Sequence, residues 1–170
     1  MKRSLTVLLV LLMYTMFAAS VATAYQSDPV QPSGDIGIQF LSSQRLWYED
    51  LNGNKITSST VGADVHVYGE QNYQSAYPAD ARFKMMVSYK FGRPSVVESN
   101  VPNNGWVYGY NDAYGGECWS YDSGTMGYFG SHTFYQKVRV HNDISGSAKS
   151  MLGTGWVGST WATAYLTINP

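Results

Sequence analysis

Between Arg82 and Phe91 the chain alternates, Met86 apart. Phe83, Met85, Val87, Tyr89 and Phe91 fall on one side and Arg82, Lys84, Ser88 and Lys90 on the other. A period of two places successive side chains on opposite faces of an extended backbone, so this segment fits a half-buried antiparallel strand and does not fit an amphipathic helix. The same period recurs at Ile36, Ile38 and Phe40, at Val65 and Val67, at Phe134, Val138 and Val140, and at Ala162, Ala164, Leu166 and Ile168. Asn52-Gly53 and Asn104-Gly105 are dipeptides that tolerate the positive φ of tight hairpin turns. Only Ile144 to Leu152 offers a short helical turn. The expectation is an all-β fold, an antiparallel β-sandwich of about seven to nine strands.

Ahead of that pattern the chain carries an export address. Lys2 and Arg3 precede an apolar run from Leu5 to about Val21, and Ala22-Thr23-Ala24 supplies small residues for cleavage before Tyr25. The run is short of a membrane span and is broken by Thr6, Tyr14, Thr15 and Ser20. The expected organisation is a signal peptide at 1–24, a leader at 25–34 containing Pro29 and Pro32, and one β domain at 35–170. The product is expected to be secreted, with no stable membrane span after cleavage.

Charge narrows the partners. The chain has 11 basic and 12 acidic residues, a formal charge of −1 that becomes −3 once Lys2 and Arg3 are removed. Such a balance lacks the basic footprint of a nucleic-acid binder, and it argues against a cationic peptide that acts on membranes by charge alone. Cys118 is the only cysteine, so no internal disulfide can form; a disulfide-linked dimer is the link it leaves open.

Residues 105–130 stand apart, with seven Gly, five Tyr and two Trp. Flat amphipathic rings on a low backbone suit stacking on sugars or at a lipid headgroup boundary. Trp106, Tyr108, Tyr110, Tyr114 and Trp119 are the candidate ligand-binding residues. The alternative is that these rings close one end of the sandwich as ordinary strand aromatics.

Catalytic motifs are weak. Cys118-Trp119 lacks the helix that would hold a thiolate, since Gly124, Gly127 and Gly130 follow it. His66, His132 and His141 have no metal-ligand spacing and read as solvent-facing strand residues. Asp50, Asn52 and Asn54 resemble the start of a calcium loop, but Lys55 and Val61 stand where that loop needs Gly and an acid, so a hairpin turn explains them better. Glu98, Asp112, Glu117 and Asp122 could supply a glycosidase pair. No Ser nucleophile elbow or phosphate-cradling glycine motif is present, and no metal or cofactor is expected.

The C-terminal part, residues 105–166, resembles the lactococcin 972 family of secreted bacteriocins. The matching elements are Trp106-Val-Tyr-Gly109-Tyr110 with Tyr114, then Gly130-Ser131-His132-Thr133 before Val138 and Val140, then Asn142, Gly146, Trp161, Ala162 and Ala164. Residues 36–104 and the stretch around Glu117, Cys118 and Trp119 have no counterpart in that pattern. The resemblance implies a small exported β-sandwich that binds the cell-wall precursor lipid II and blocks septum formation. The first expectation is therefore a non-enzymatic, envelope-binding antibacterial whose ligand is a cell-wall precursor or glycan. A carbohydrate-binding or adhesion sandwich without toxicity is the second reading, and a small glycan hydrolase the third.

Overall fold

The computed structural model describes residues 41–156 and 158–170. The expected signal peptide, the leader and the Ile36–Phe40 alternation lie outside the described residues. Among the described residues there are nine strands and no helix. They are β1 (Leu41–Glu49), β2 (Lys55–Ile56), β3 (Ser58–Thr60), β4 (Asp64–Ser88), β5 (Ser95–Ser99), β6 (Val107–Asn111), β7 (Gly116–His141), β8 (Gly146–Gly153) and β9 (Ala162–Asn169).

Two of these strands dominate. β4 has 25 residues and β7 has 26, and they pair antiparallel from Asp64↔His141 to Ser88↔Cys118. A straight strand of that length would reach roughly 80 Å, far more than a core of this size can cover. The ribbon instead folds back on itself. A Cβ built on Gly69 would lie 3.4 Å from Met85 Sδ, although a straight strand would hold these residues roughly 50 Å apart. The Tyr73 hydroxyl donates to the carbonyl of Arg82 at 3.1 Å across the same bend.

The local sequence explains where the bend falls. Between Ser75↔Gly130 and Ala79↔Tyr128 three residues of β4, including Tyr77 and Pro78, oppose only Phe129. Pro78 cannot donate to a ladder, and Gly130 takes the positive φ of 74° that the kink needs. A second break follows, where Ser123 and Gly124 oppose Phe83. Gly124 has φ 70°, and the Ser123 hydroxyl accepts the Phe83 N–H at 2.9 Å, so the interrupted ladder leaves no bare amide there.

The two halves of β4 then find different neighbours. One edge runs along β7 throughout, while the other pairs with β1 before the bend and β8 after it. β8 continues to β9 and β9 to β3; β5 and β6 sit on the far edge of β7. The strands therefore form one continuous sheet curled around a shared interior, not the two separate antiparallel sheets expected. It is also mixed, because β3 and β9 run parallel. The core unites Leu46, Val67, Phe83, Met85, Val138, Leu152 and Leu166 from both halves, and a Tyr48–Ser150 hydroxyl contact at 2.7 Å ties β1 to β8 across it.

Several expectations meet corrections. Ile144 to Leu152 is not helical; Ala148, Ser150 and Leu152 alternate inward on β8. The alternation that runs to Phe91 leaves the strand at Ser88, so Tyr89 is exposed and Phe91 reaches the core through an isolated bridge to Asn142. Asn52-Gly53 does close a hairpin, but within a five-residue loop, Asp50–Asn54, in which the Asp50 carboxylate accepts both the Asn52 and Asn54 amides at 2.9 Å. Asn104-Gly105 closes none, since β5 and β6 pair with β7 and not with each other.

His66 is not solvent-facing. It is buried between its cross-strand neighbours Glu49 and Arg139. Burial, reinforced by the positive charges of Lys137 and Arg139, lowers its pKa.

Two outcomes follow. Gly124→Ala should cost about 1 kcal/mol through its positive φ, lowering the urea midpoint with an unchanged m-value. Because the folded protein resists protonating His66 while the unfolded chain accepts a proton below its ordinary pKa of about 6.5, stability should fall as pH drops through that value. Thermal unfolding between pH 7.5 and 5.5 should show this loss, and His66→Gln should flatten it.

Candidate functional site

The five rings singled out by sequence do not share a surface. Trp106 is buried and packs on Tyr121 at 5.8 Å. Trp119 is half-buried, donates its indole N–H to the Phe91 carbonyl at 3.0 Å and touches the Tyr108 ring at 5.1 Å. Tyr108 is exposed and donates to Glu117 at 3.0 Å, and Tyr110, 72% exposed, faces solvent beside it. Their proximity in sequence hides a division among core, edge and outer face.

Tyr114 belongs to the outer face. The β6–β7 hairpin tip folds it over Met86, Cys118 and Met151, with Trp161 packed alongside. A reciprocal clasp holds it there. The Tyr114 hydroxyl donates to the Lys149 carbonyl at 2.9 Å, Lys149 Nζ donates to the Tyr114 carbonyl at 2.6 Å, and the ammonium lies 4.2 Å from the ring centroid. Cys118 beneath it is fully buried, and that burial pushes its thiol pKa up. A disulfide through Cys118 therefore requires the hairpin to lift.

The carboxylates are engaged separately. Burial opposes ionisation of Asp122, but paired hydrogen bonds from Arg82 at 2.8 and 2.5 Å outweigh it and hold the carboxyl below its ordinary range. Glu117 accepts from Tyr108, Glu98 from Tyr135 at 3.1 Å, and Asp112 lies exposed in the hairpin turn.

A second aromatic row crosses β1, β4 and β7. Trp47 meets Tyr68 at 4.4 Å, and Tyr68 stacks on Tyr135 at 6.1 Å. Lys55 lies 4.3 Å from the Trp47 ring centroid, and Lys137 pairs with Glu49 at 2.8 Å. These ring faces are occupied by one another and by cations, which suits a cross-strand ladder better than a ligand platform.

The bend is different. It holds a groove of about 870 Å³ lined by Pro78, Ala79, Asp80, Thr125, Gly127, Tyr128 and Trp156. The registration break that folds the ribbon also pushes Tyr77 and Phe129 outward, leaving them 74% and 67% exposed next to it. Trp156 comes from the β8–β9 connection. Its carbonyl accepts the Ser159 amide at 3.1 Å, and the Lys84 stem lies against the neighbouring Gly155, where a Cβ would come within 2.8 Å of it. Asp80 is exposed and has no hydrogen bond or ion pair among the described residues. Sequence reasoning missed Tyr77, Asp80, Phe129 and Trp156. The signal that points to them is a proline interrupting a long alternating run, with Phe129-Gly130 as its partner.

Among the described residues no cluster of three or more His, Cys, Asp or Glu is arranged to hold a metal. His132 packs on Phe134 at 4.4 Å, and His141 pairs with Asp64 at 2.8 Å.

No protein-family model and no curated protein matches the chain. Among solved structures it is similar to the C-terminal domain of the Streptococcus agalactiae AgI/II polypeptide BspA, at 13% identity over 73% of this chain and 49% of that one, with a TM-score of 0.42. The C-terminal domain of the Streptococcus pyogenes antigen I/II-family protein AspA is similar at 11% identity, over 79% of this chain and 47% of that one, with a TM-score of 0.41. A β-glucosidase from Listeria innocua is similar at 7% identity, over 82% of this chain and 17% of that one, with a TM-score of 0.39. The chain spans less than half the length of each.

The clasp over Cys118 makes its own prediction. A thiol reagent should label native protein slowly, and Lys149→Ala should speed labelling roughly tenfold by easing local opening. Equal rates in the two proteins would mean that the clasp does not guard the thiol.

Proposed function

We propose that this chain is an exported, non-catalytic glycan-binding domain that serves surface adhesion, with the groove at the ribbon bend as its combining site. The observation that carries this reading is the company of Trp156 and an unpaired carboxylate in one groove, with the exposed rings of Tyr77 and Phe129 following on from its lining residues Pro78 and Tyr128. Trp156 offers an apolar face to the underside of a sugar ring, while Asp80 and Thr125 offer hydrogen-bonding groups for hydroxyls. The lining holds a single carboxylate and no cation, which favours neutral or amino-bearing sugars over acidic ones. A single carboxylate also favours binding over hydrolysis, since glycosidases of the usual kind need two flanking the scissile bond.

The bacteriocin reading draws less support. Trp106 and Tyr114, two of the rings it would use for contact, are buried. Support therefore passes to the adhesion reading.

Glycan-array screening followed by calorimetry tests the proposal. Trp156→Ala should weaken binding at least tenfold, about 1.4 kcal/mol, and Asp80→Asn should weaken amino-sugar ligands more than neutral ones. Wild-type protein that binds no glycan, or binding indifferent to Trp156→Ala, would sink the idea. Growth arrest of related bacteria by purified protein would favour the antibacterial reading instead.

A further inference from the structure

The sulfur side chains of the sheet divide between its two faces. Met85 and Met126 join the main core. Met86 and Met151 turn instead to the outer face of β4 and β8, where they pack with Cys118 of β7 under the Tyr114 clasp. Ladder register accounts for the meeting. Met86 lies directly opposite Met151, and Cys118, opposite Ser88, stands diagonal to Met86 on the same face. Opposite positions hold their Cβ atoms about 5 Å apart and diagonal ones about 7–8 Å, spans that unbranched methionine chains bridge. Two thioethers and a thiol from three neighbouring strands thus share one buried cluster, covered by Tyr114 and flanked by Trp161.

We propose that Met86, Cys118 and Met151 form a three-sulfur site for a soft monovalent cation, copper(I). Thioether and thiolate sulfur select Cu(I), whereas harder divalent ions take oxygen and imidazole donors. Among the described residues no group of three or more His, Cys, Asp or Glu could hold a metal, so Cys118 has no zinc-type donor set around it. Charge points the same way. Cu(I) replaces the Cys118 proton, forming an S–Cu bond and releasing H+ to solvent, with no change of oxidation state. The thiolate complex is then neutral, and burying it avoids the cost of an uncompensated charge; a divalent ion would leave one positive charge unbalanced. Burial raises the thiol pKa, the positive charges of Lys149 and Lys84 oppose that rise, and metal binding supplies the remaining drive for deprotonation. The route in is the hairpin tip, since Tyr114 lies in the turn between β6 and β7 and is held down by Lys149. Spacing of His and acidic residues, the basis for expecting no metal, does not register methionine donors. The site stands independently of glycan binding, because none of its residues lines the bend groove.

Anaerobic titration of reduced, purified protein with Cu(I) against a chromophoric chelator tests the assignment, together with X-ray absorption at the copper edge. One equivalent should bind per chain, with sulfur as the only ligand atom. Cys118→Ser should abolish binding. Met86→Leu and Met151→Leu conserve volume, should keep the near-ultraviolet circular dichroism, and should each weaken binding roughly tenfold or more. Each methionine variant should also lose one sulfur neighbour from the copper, a change that altered packing alone does not produce. Protein that takes up no Cu(I), or copper held equally well with either methionine replaced, would overturn the proposal.

Discussion

Everything in this molecule depends on the ladder between β4 and β7 bending back without losing its pairing. A two-stranded ribbon alone is marginal in water, because one of its faces has nothing to bury against. Here the ribbon supplies its own cover. Folding at Ser75–Ala79 brings Gly69 onto Met85 and Leu152, so residues from a single strand face each other across the core. The remaining strands then extend either half outward, β1 before the bend and β8 after it.

That constraint also decides which aromatics are spent and which are left over. Rings on the ribbon and the strands beside it have neighbours across the ladder, as Trp47, Tyr68 and Tyr135 do, or are drawn inward like Tyr73 and Tyr121, with Trp106 packed on Tyr121. At the bend the ladder is interrupted, and three residues facing one cannot all find cross-strand partners. Tyr77 and Phe129 emerge there because the geometry that closes the core denies them a place in it. The groove beside them is a by-product of the same kink, with Trp156 brought in from the β8–β9 connection.

Much of the strand content was legible as period-two alternation. Val65 and Val67, Phe83 through Val87, Val138 and Val140, and Ala162 through Ile168 all turn inward on the expected side. What the period could not convey was length and continuity. Nothing in Phe83–Val87 says that it shares one strand with Val65, because Pro78 lies between them and reads locally as a terminator. The site was less legible for a related reason. Trp106 and Tyr108 are two residues apart, yet one is core and the other edge, so density of rings in sequence could not reveal exposure. The ring that lines the groove, Trp156, sits in a loop whose place is set by Gly155 against the Lys84 stem, a contact between residues 71 positions apart.

The folded-back ribbon is open to a direct check by nuclear Overhauser spectroscopy on methyl-labelled protein. A cross-peak between the Gly69 Hα protons and the Met85 methyl, together with Gly69 to the Leu152 methyls, is the result this architecture predicts. Their absence, with Gly69 showing contacts only to its ladder neighbours Leu46 and Gln136, would mean that β4 does not return on itself. The shared core and the groove at the bend would then both be wrong.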